Sequence, residues 1–129
     1  MSSPWMTEEG HQICLFRWAH LARNTRPELR MLYAIPNGGL RHPAVAAKLK
    51  AAGLKPGVPD ICLAVPRGCW ASLYIELKAP AYAPLNKRAG TTSAEQEMWL
   101  EDLHGYGFKC LVCHGWEEAK DAILEYLDS

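Results

Sequence analysis

No apolar stretch in this sequence approaches the roughly 18 to 20 residues that a membrane-spanning helix requires, so no membrane partner is expected. The opening residues, Met1-Ser2-Ser3-Pro4-Trp5, lack a basic stretch followed by an apolar one. That pattern predicts a cytoplasmic chain that is not exported. Cysteine is neither abundant nor even in number: five thiols among 129 residues, without an export signal, predict reduced side chains and no disulfide framework. Excess charge of either sign is also missing, because 14 Lys/Arg balance 14 Asp/Glu. Internal repeats, heptad arrays and a linker are absent, and the length fits one domain spanning residues 1–129.

Charge balance alone would argue against a polyanionic partner, but its distribution argues for one. Residues 41–90 hold eight Lys/Arg and two acids, whereas residues 91–129 hold two Lys/Arg and nine acids. The two acids of the basic middle are Asp60 and Glu76. A basic segment with both its carboxylates at one site suits a phosphate polymer met through a bound cation. The plainer reading is a solvated, charge-segregated surface.

The apolar pattern predicts four helices and four strands. Dense apolar residues from Glu8 to about Arg23, with Thr7 as N-cap, mark the first helix. Leu29 to Ile35 reads as a strand stopped by Pro36-Asn37-Gly38-Gly39. Pro43 and Gly53 bracket a helix over about His42 to Ala52. Strands near Ile61–Val65 and Leu73–Leu77 follow, and residues 79–92 read as a mobile loop. A helix from Thr92/Ser93 to about Gly105, a strand over Phe108–Cys113 and a helix over Glu117–Leu127 complete the chain. The order α-β-α-β-β-α-β-α predicts an α/β fold, with a mixed sheet flanked by helices.

Chemistry concentrates on the middle strands. Asp60 stands at the mouth of the Ile61–Val65 run, and Leu73-Tyr74-Ile75-Glu76-Leu77-Lys78 forms the next. Strand alternation turns Glu76 and Lys78 to one face and Ile75 and Leu77 to the other. Pairing the two runs as a hairpin sets Asp60 beside Glu76. Two carboxylates and an amine at one spot are what metal-assisted phosphodiester hydrolysis needs: oxygen ligands for Mg²⁺ or Mn²⁺ and a cation near the attacked phosphate. The bland alternatives are a turn-forming Asp and an exposed Glu–Lys pair worth under about 1 kcal/mol.

Other residues carry weaker signals. Glu8 and Gln12 lie one helical turn apart on one face, with Glu9 as a rival to Glu8. Ser93-x-x-Gln96 and Thr92-x-x-Glu95 both spell capping boxes. Asn37, Gly38 and Arg41 form a loop suited to a phosphate, and Lys48, Lys55, Lys87 and Arg88 are candidate backbone contacts. Trp18, Trp99 and Trp116 read as helix packing residues. Cys110-Leu111-Val112-Cys113-His114 spells a c-type haem attachment site, yet it falls on a strand, where i and i+3 face opposite ways. Haem and structural zinc are therefore not expected.

Proline-aspartate at one strand and Glu-x-Lys at the next resemble the PD-(D/E)xK nuclease superfamily. More narrowly, the blocks Pro36-Asn37-Gly38-Gly39, Gly57-Val58-Pro59-Asp60, Ile75-Glu76-Leu77-Lys78 and Ser93-Ala94-Glu95-Gln96 resemble the VRR-NUC family, especially its small stand-alone bacterial and phage members. The resemblance implies a restriction-endonuclease-like core and metal-dependent cleavage of DNA. It implies Glu8, Asp60, Glu76 and the Leu77 backbone oxygen as metal ligands, with Lys78 and Gln96 completing the catalytic set. Branched DNA such as Holliday junctions and homo-oligomers are also implied, and symmetric cutting of such a substrate calls for a homodimer. The rival expectations are flap, nicking or exonuclease activity, or a non-catalytic DNA-binding subunit of the same fold.

Overall fold

The computed structural model describes residues 6–36 and 42–129. Thr7 starts α1 (Glu8–Ala22) by accepting the Gly10 N–H on Oγ1 at 3.1 Å. Every fourth residue of that helix is buried, namely His11, Leu15 and Ala19, which makes one inward stripe. A 3₁₀ turn, Pro27–Met31, leads into β1 (Leu32–Ala34). The apolar run expected to be strand from Leu29 therefore spends its first half as a helical turn. Pro27 presets the turn, and its third residue, Leu29, is buried in the core while Arg30 and Met31 face out.

The remaining elements are α2 (Pro43–Ala51), β2 (Ile61–Leu63), β3 (Leu73–Lys78), α3 (Ala94–Gly105), β4 (Lys109–His114) and α4 (Trp116–Leu127). Their order is the expected one. The sheet runs β1-β2-β3-β4, antiparallel across the first two pairings and parallel between β3 and β4. Segment 79–92, read as a mobile loop, carries a 3₁₀ turn at Ala83–Leu85 and a bridge between Tyr82 and Lys87. It closes where the Gly90 N–H donates to Ala79 O at 3.0 Å.

Alternation sorts the sheet into two chemistries. Leu73, Ile75 and Leu77 of β3 and Cys113 of β4 join Leu15 and Ala19 of α1 and Ala119, Ile123, Tyr126 and Leu127 of α4 in one apolar core. Trp18 and Trp116 pack against that core. Cys110, three residues before Cys113, faces the other side, and burial pushes the two thiols up to about 11 and about 12 respectively. The even-numbered residues of β3, Tyr74, Glu76 and Lys78, point away from this core toward α3.

Long-range polar bonds tie the C-terminal helix to the sheet. Arg67 donates to Leu127 O at 3.0 Å and pairs with Glu28 at 2.7 Å. The buried Tyr126 hydroxyl donates to Val65 O at 2.6 Å. Tyr126→Phe should lower the urea midpoint with an unchanged slope, a cost of about 1–2 kcal/mol because a buried carbonyl loses its donor. An unchanged midpoint would show that this bond contributes nothing net.

Candidate active site

The turn before β2 is built by small and rigid residues. Gly57 takes φ +89°, a conformation that side chains disfavour. A Cβ there would also sit 2.9 Å from the Glu95 backbone, so Gly57 lets the turn press against the start of α3. Pro59 is fully buried, and the Asp60 carbonyl accepts from Ile35 N at 2.7 Å. These contacts fix Asp60 at the end of β2.

The β2–β3 register pairs Ile61 with Ile75, so its continuation sets Asp60 opposite Glu76. Asp60 Oδ2 accepts the Leu77 N–H at 2.8 Å, an edge that the backbone of β2 leaves uncovered. Glu76 is 1% exposed. Its Oε2 accepts from Gln96 Nε2 at 3.1 Å and lies 3.6 Å from Lys78 Nζ. Its Oε1 is buried, and among the described residues no donor reaches it. Burial pushes the Glu76 carboxyl up to about 8; the Asp60 carboxyl beside it adds to the rise, Lys78 opposes it, and Glu8 adds a further increment.

Gln96 closes the group. Its Oε1 accepts from Lys78 Nζ at 3.0 Å and from Ser93 N at 2.8 Å, while Ser93 Oγ accepts from Gln96 N at 3.2 Å. The capping box and the site contact thus occur together in one side chain. Thr92 instead bonds the Glu97 carboxylate, so the second capping box expected from Thr92 and Glu95 does not form.

The orphaned Glu76 Oε1 tests the fit of a cation. A buried carboxylate facing a second carboxylate is unfavourable unless a proton or a cation lies between them, and two carboxylates with a backbone carbonyl are oxygen donors of the kind hard divalent ions take. The Leu77 carbonyl belongs to that set: Lys78 O accepts from Gly115 N on the β4 side, so alternation turns the Leu77 N–H and C=O toward Asp60. Among the described residues no cluster of three His, Cys, Asp or Glu side chains forms a ready-made ion cage. Of the two acids opening α1, Glu8 is the one whose field reaches Glu76.

The structure therefore brings together Asp60, Glu76, Lys78 and Gln96, with Glu8 in electrostatic reach. Gln12 is half-buried on α1. Lys48 lies on α2, which buries no residue, and Lys55 lines a surface cleft of about 330 Å³ with Glu95, Met98, Trp99 and Asp102. Lys87 and Arg88 are exposed on segment 79–92. Asn37, Gly38 and Arg41 lie outside the described residues.

Three contacts were not anticipated. Gly90 packs over the stem of Lys78, where an added Cβ would come within 3.3 Å of Lys78 Cβ, and the Gly90 carbonyl lies 2.9 Å from His114 Nε2. His11, fully buried, accepts the Trp116 N–H on Nδ1 at 3.1 Å and so caps α4, whose N-cap residue Gly115 has no side chain. The one sequence signal for His11 is its spacing of four from Leu15 and eight from Ala19.

A family model for the VRR-NUC domain matches residues 7–117. A solved structure described as a "VRR_NUC domain protein" shares the fold: it is 24% identical, covers 99% of this chain and 92% of its own, and superposes with a TM-score of 0.75. No curated protein matches. With the family model spanning most of the sequence and a neighbour of the same fold, the chain belongs to the VRR-NUC family, a nuclease-type domain for which DNA is the implied substrate.

Proposed function

We propose that this protein is a Mg²⁺- or Mn²⁺-dependent DNA endonuclease that cuts branched DNA, four-way junctions among them, as a homodimer. The observation that carries the reading is the buried Glu76 carboxylate, facing Asp60 with one oxygen unpartnered and with Lys78 and Gln96 on the other. Asp60, Glu76, the Leu77 carbonyl and Glu8 would hold the ion. When bound, the ion neutralises charge at the scissile phosphate and acidifies the attacking water.

The protein's own residues do the rest. Asp60 is oriented by the Leu77 N–H, so its second oxygen remains directed by a fixed carboxyl plane. Lys78 Nζ, held by Gln96 in a pocket that leaves it 7% exposed, places an N–H donor where charge builds on the phosphorus-bound oxygens. Low exposure keeps that interaction from being screened by water. Asn37, Gly38, Arg41, Lys48, Lys55, Lys87 and Arg88 supply donors for the DNA backbone on either side of the cut. A two-fold dimer would present two such sites to the two strands of a symmetric junction.

Gln96 separates capping from catalysis. Gln96→Glu retains the capping box, since glutamate serves equally at that position, but sets a carboxylate against Glu76. Cleavage should fall by about 10²-fold, with the α3 cap retained. Wild-type cleavage by this variant would reduce Gln96 to a helix cap. The function itself is tested by incubating the protein with labelled four-way junction, flap, duplex and single strand, each with Mg²⁺ or EDTA. Symmetric junction cutting with Mg²⁺ is expected; preference for flaps or ends would replace the junction reading, and binding without cutting would leave a DNA-binding subunit.

A further inference from the structure

The far end of α1 carries positive charge that the site described above does not use. Arg17, Arg23 and Arg30 are exposed, and among the described residues no carboxylate lies within ion-pair distance of them. The nearby acids are already engaged: Glu28 binds Arg67 at 2.7 Å and Asp128 binds Arg26 at 2.8 Å. The other three guanidiniums are thereby left without counter-charge.

Two of them share one concavity, and the third borders a neighbouring hollow. Arg23, Asn24, Pro27 and Arg30 line a cleft of about 470 Å³. Arg23 and Arg30 are shared with an adjoining cleft of about 320 Å³ that reaches His20, Phe16 and Leu32 of β1. Arg17 and His20 border the next hollow along the helix. The clefts adjoin through shared residues, with two guanidiniums and an amide lining the first and mostly apolar side chains lining the last. Arg23 also stands at the C-cap of α1 and Arg30 in the last turn of Pro27–Met31, positions where a cation favours the helix dipole, and both guanidiniums remain exposed there.

We propose that these clefts form a second contact for the phosphate backbone of duplex DNA, with Arg23 and Arg30 as its centre and Arg17 as its extension. The inference rests on the nuclease reading and adds where an arm of the substrate runs. Glu8 and Arg23 are fifteen residues apart on one helix, about 22 Å at 1.5 Å per residue. For a duplex arm running alongside α1, with about 3.4 Å of helix axis per base pair, that sets the contact some six base pairs from the cleaved bond. A duplex arm shorter than this cannot reach it; a longer one gains two or three charge-assisted bonds.

The test compares wild type with Arg23→Gln/Arg30→Gln by fluorescence anisotropy, using 5-base-pair and 30-base-pair arms on one labelled junction, with Ca²⁺ in place of Mg²⁺ and a salt series. The expected result is about tenfold weaker binding of the long-armed junction, a salt slope shallower by about 1.8, and unchanged binding of the short-armed one. Arg23→Lys/Arg30→Lys, which keeps both charges, should retain most of the affinity and controls for folding. Equal loss on both junctions, or an unchanged salt slope, would overturn the second contact while leaving the nuclease reading intact. A shift from dimer to monomer in the glutamine variant would overturn it too, making the clefts an interface between copies. Failure of wild type to bind either junction would remove the DNA reading and this inference with it.

Discussion

Lys78→Met should lower the junction-cleavage rate by about 10²- to 10³-fold at saturating Mg²⁺, the loss typical of one preorganised donor at a site of developing charge. Methionine keeps the unbranched stem over which Gly90 packs, so the change removes the amine without opening a cavity. The large effect follows from burial: Lys78 is 7% exposed, is held at 3.0 Å by Gln96, and lies 3.6 Å from Glu76 Oε2. An exposed strand-end lysine would be screened and worth far less. Divalent-ion affinity, measured by calorimetry, should change much less than the rate. Cleavage within threefold of wild type would return Lys78 to the role of a core-edge packing residue.

Removing divalent ions should expose a second large effect, in stability. The Glu76 carboxyl titrates near 4.5 in the unfolded chain and is pushed up to about 8 in the folded one by burial and by Asp60. Between those values the folded state holds the extra proton, so stability falls as pH rises through the window. The fall approaches about 1.4 kcal/mol per pH unit and reaches a few kcal/mol across it. His11 works in the opposite sense: burial lowers its pKa below 6.5, so stability gained from keeping it neutral grows as pH rises toward that value. The Glu76 signature is therefore cleanest from about pH 6.5 to 8. Urea melts in EDTA should show wild type losing stability over that range and Glu76→Gln staying level. Adding Mg²⁺ or Mn²⁺ should reverse the wild-type trend, because an ion binds the ionised carboxylates. Parallel pH profiles for the two proteins would contradict the buried pair.

The core of the site was legible because strand alternation is strict. A period of two sends Glu76 and Lys78 to one face wherever β3 lies, and the hairpin register then brings Asp60 opposite. Gln96 was legible twice over, as a cap and as a neighbour of Lys78, and one side-chain geometry makes both sets of hydrogen bonds. Between Glu8 and Glu9 periodicity leaves an ambiguity of one residue, and the orientation of α1 puts Glu8 within electrostatic reach of Glu76. Contacts closed by distant segments left no local signal: His11 meets Trp116 across 105 positions, and Gly90 meets Lys78 through a loop whose composition speaks only of turns. The 3₁₀ turn at Pro27–Met31 hid for another reason, since a short apolar run such as Leu29–Ile35 has no period long enough to separate strand from helical turn.

In the proposed function, Asp60 and Glu76 hold a divalent ion for phosphodiester cleavage. Its most direct test is the initial rate of four-way-junction cleavage by pure wild type and Asp60→Asn across a Mg²⁺ titration, with EDTA as the zero point. Asparagine can still accept the Leu77 N–H, so the turn should survive while the ligand charge is lost. Wild type should show a saturable Mg²⁺ dependence, and Asp60→Asn a rate at least about 10³-fold lower, as expected when several kcal/mol of transition-state stabilisation are removed. Cleavage that persists in EDTA, or an Asp60→Asn rate equal to wild type, would contradict it.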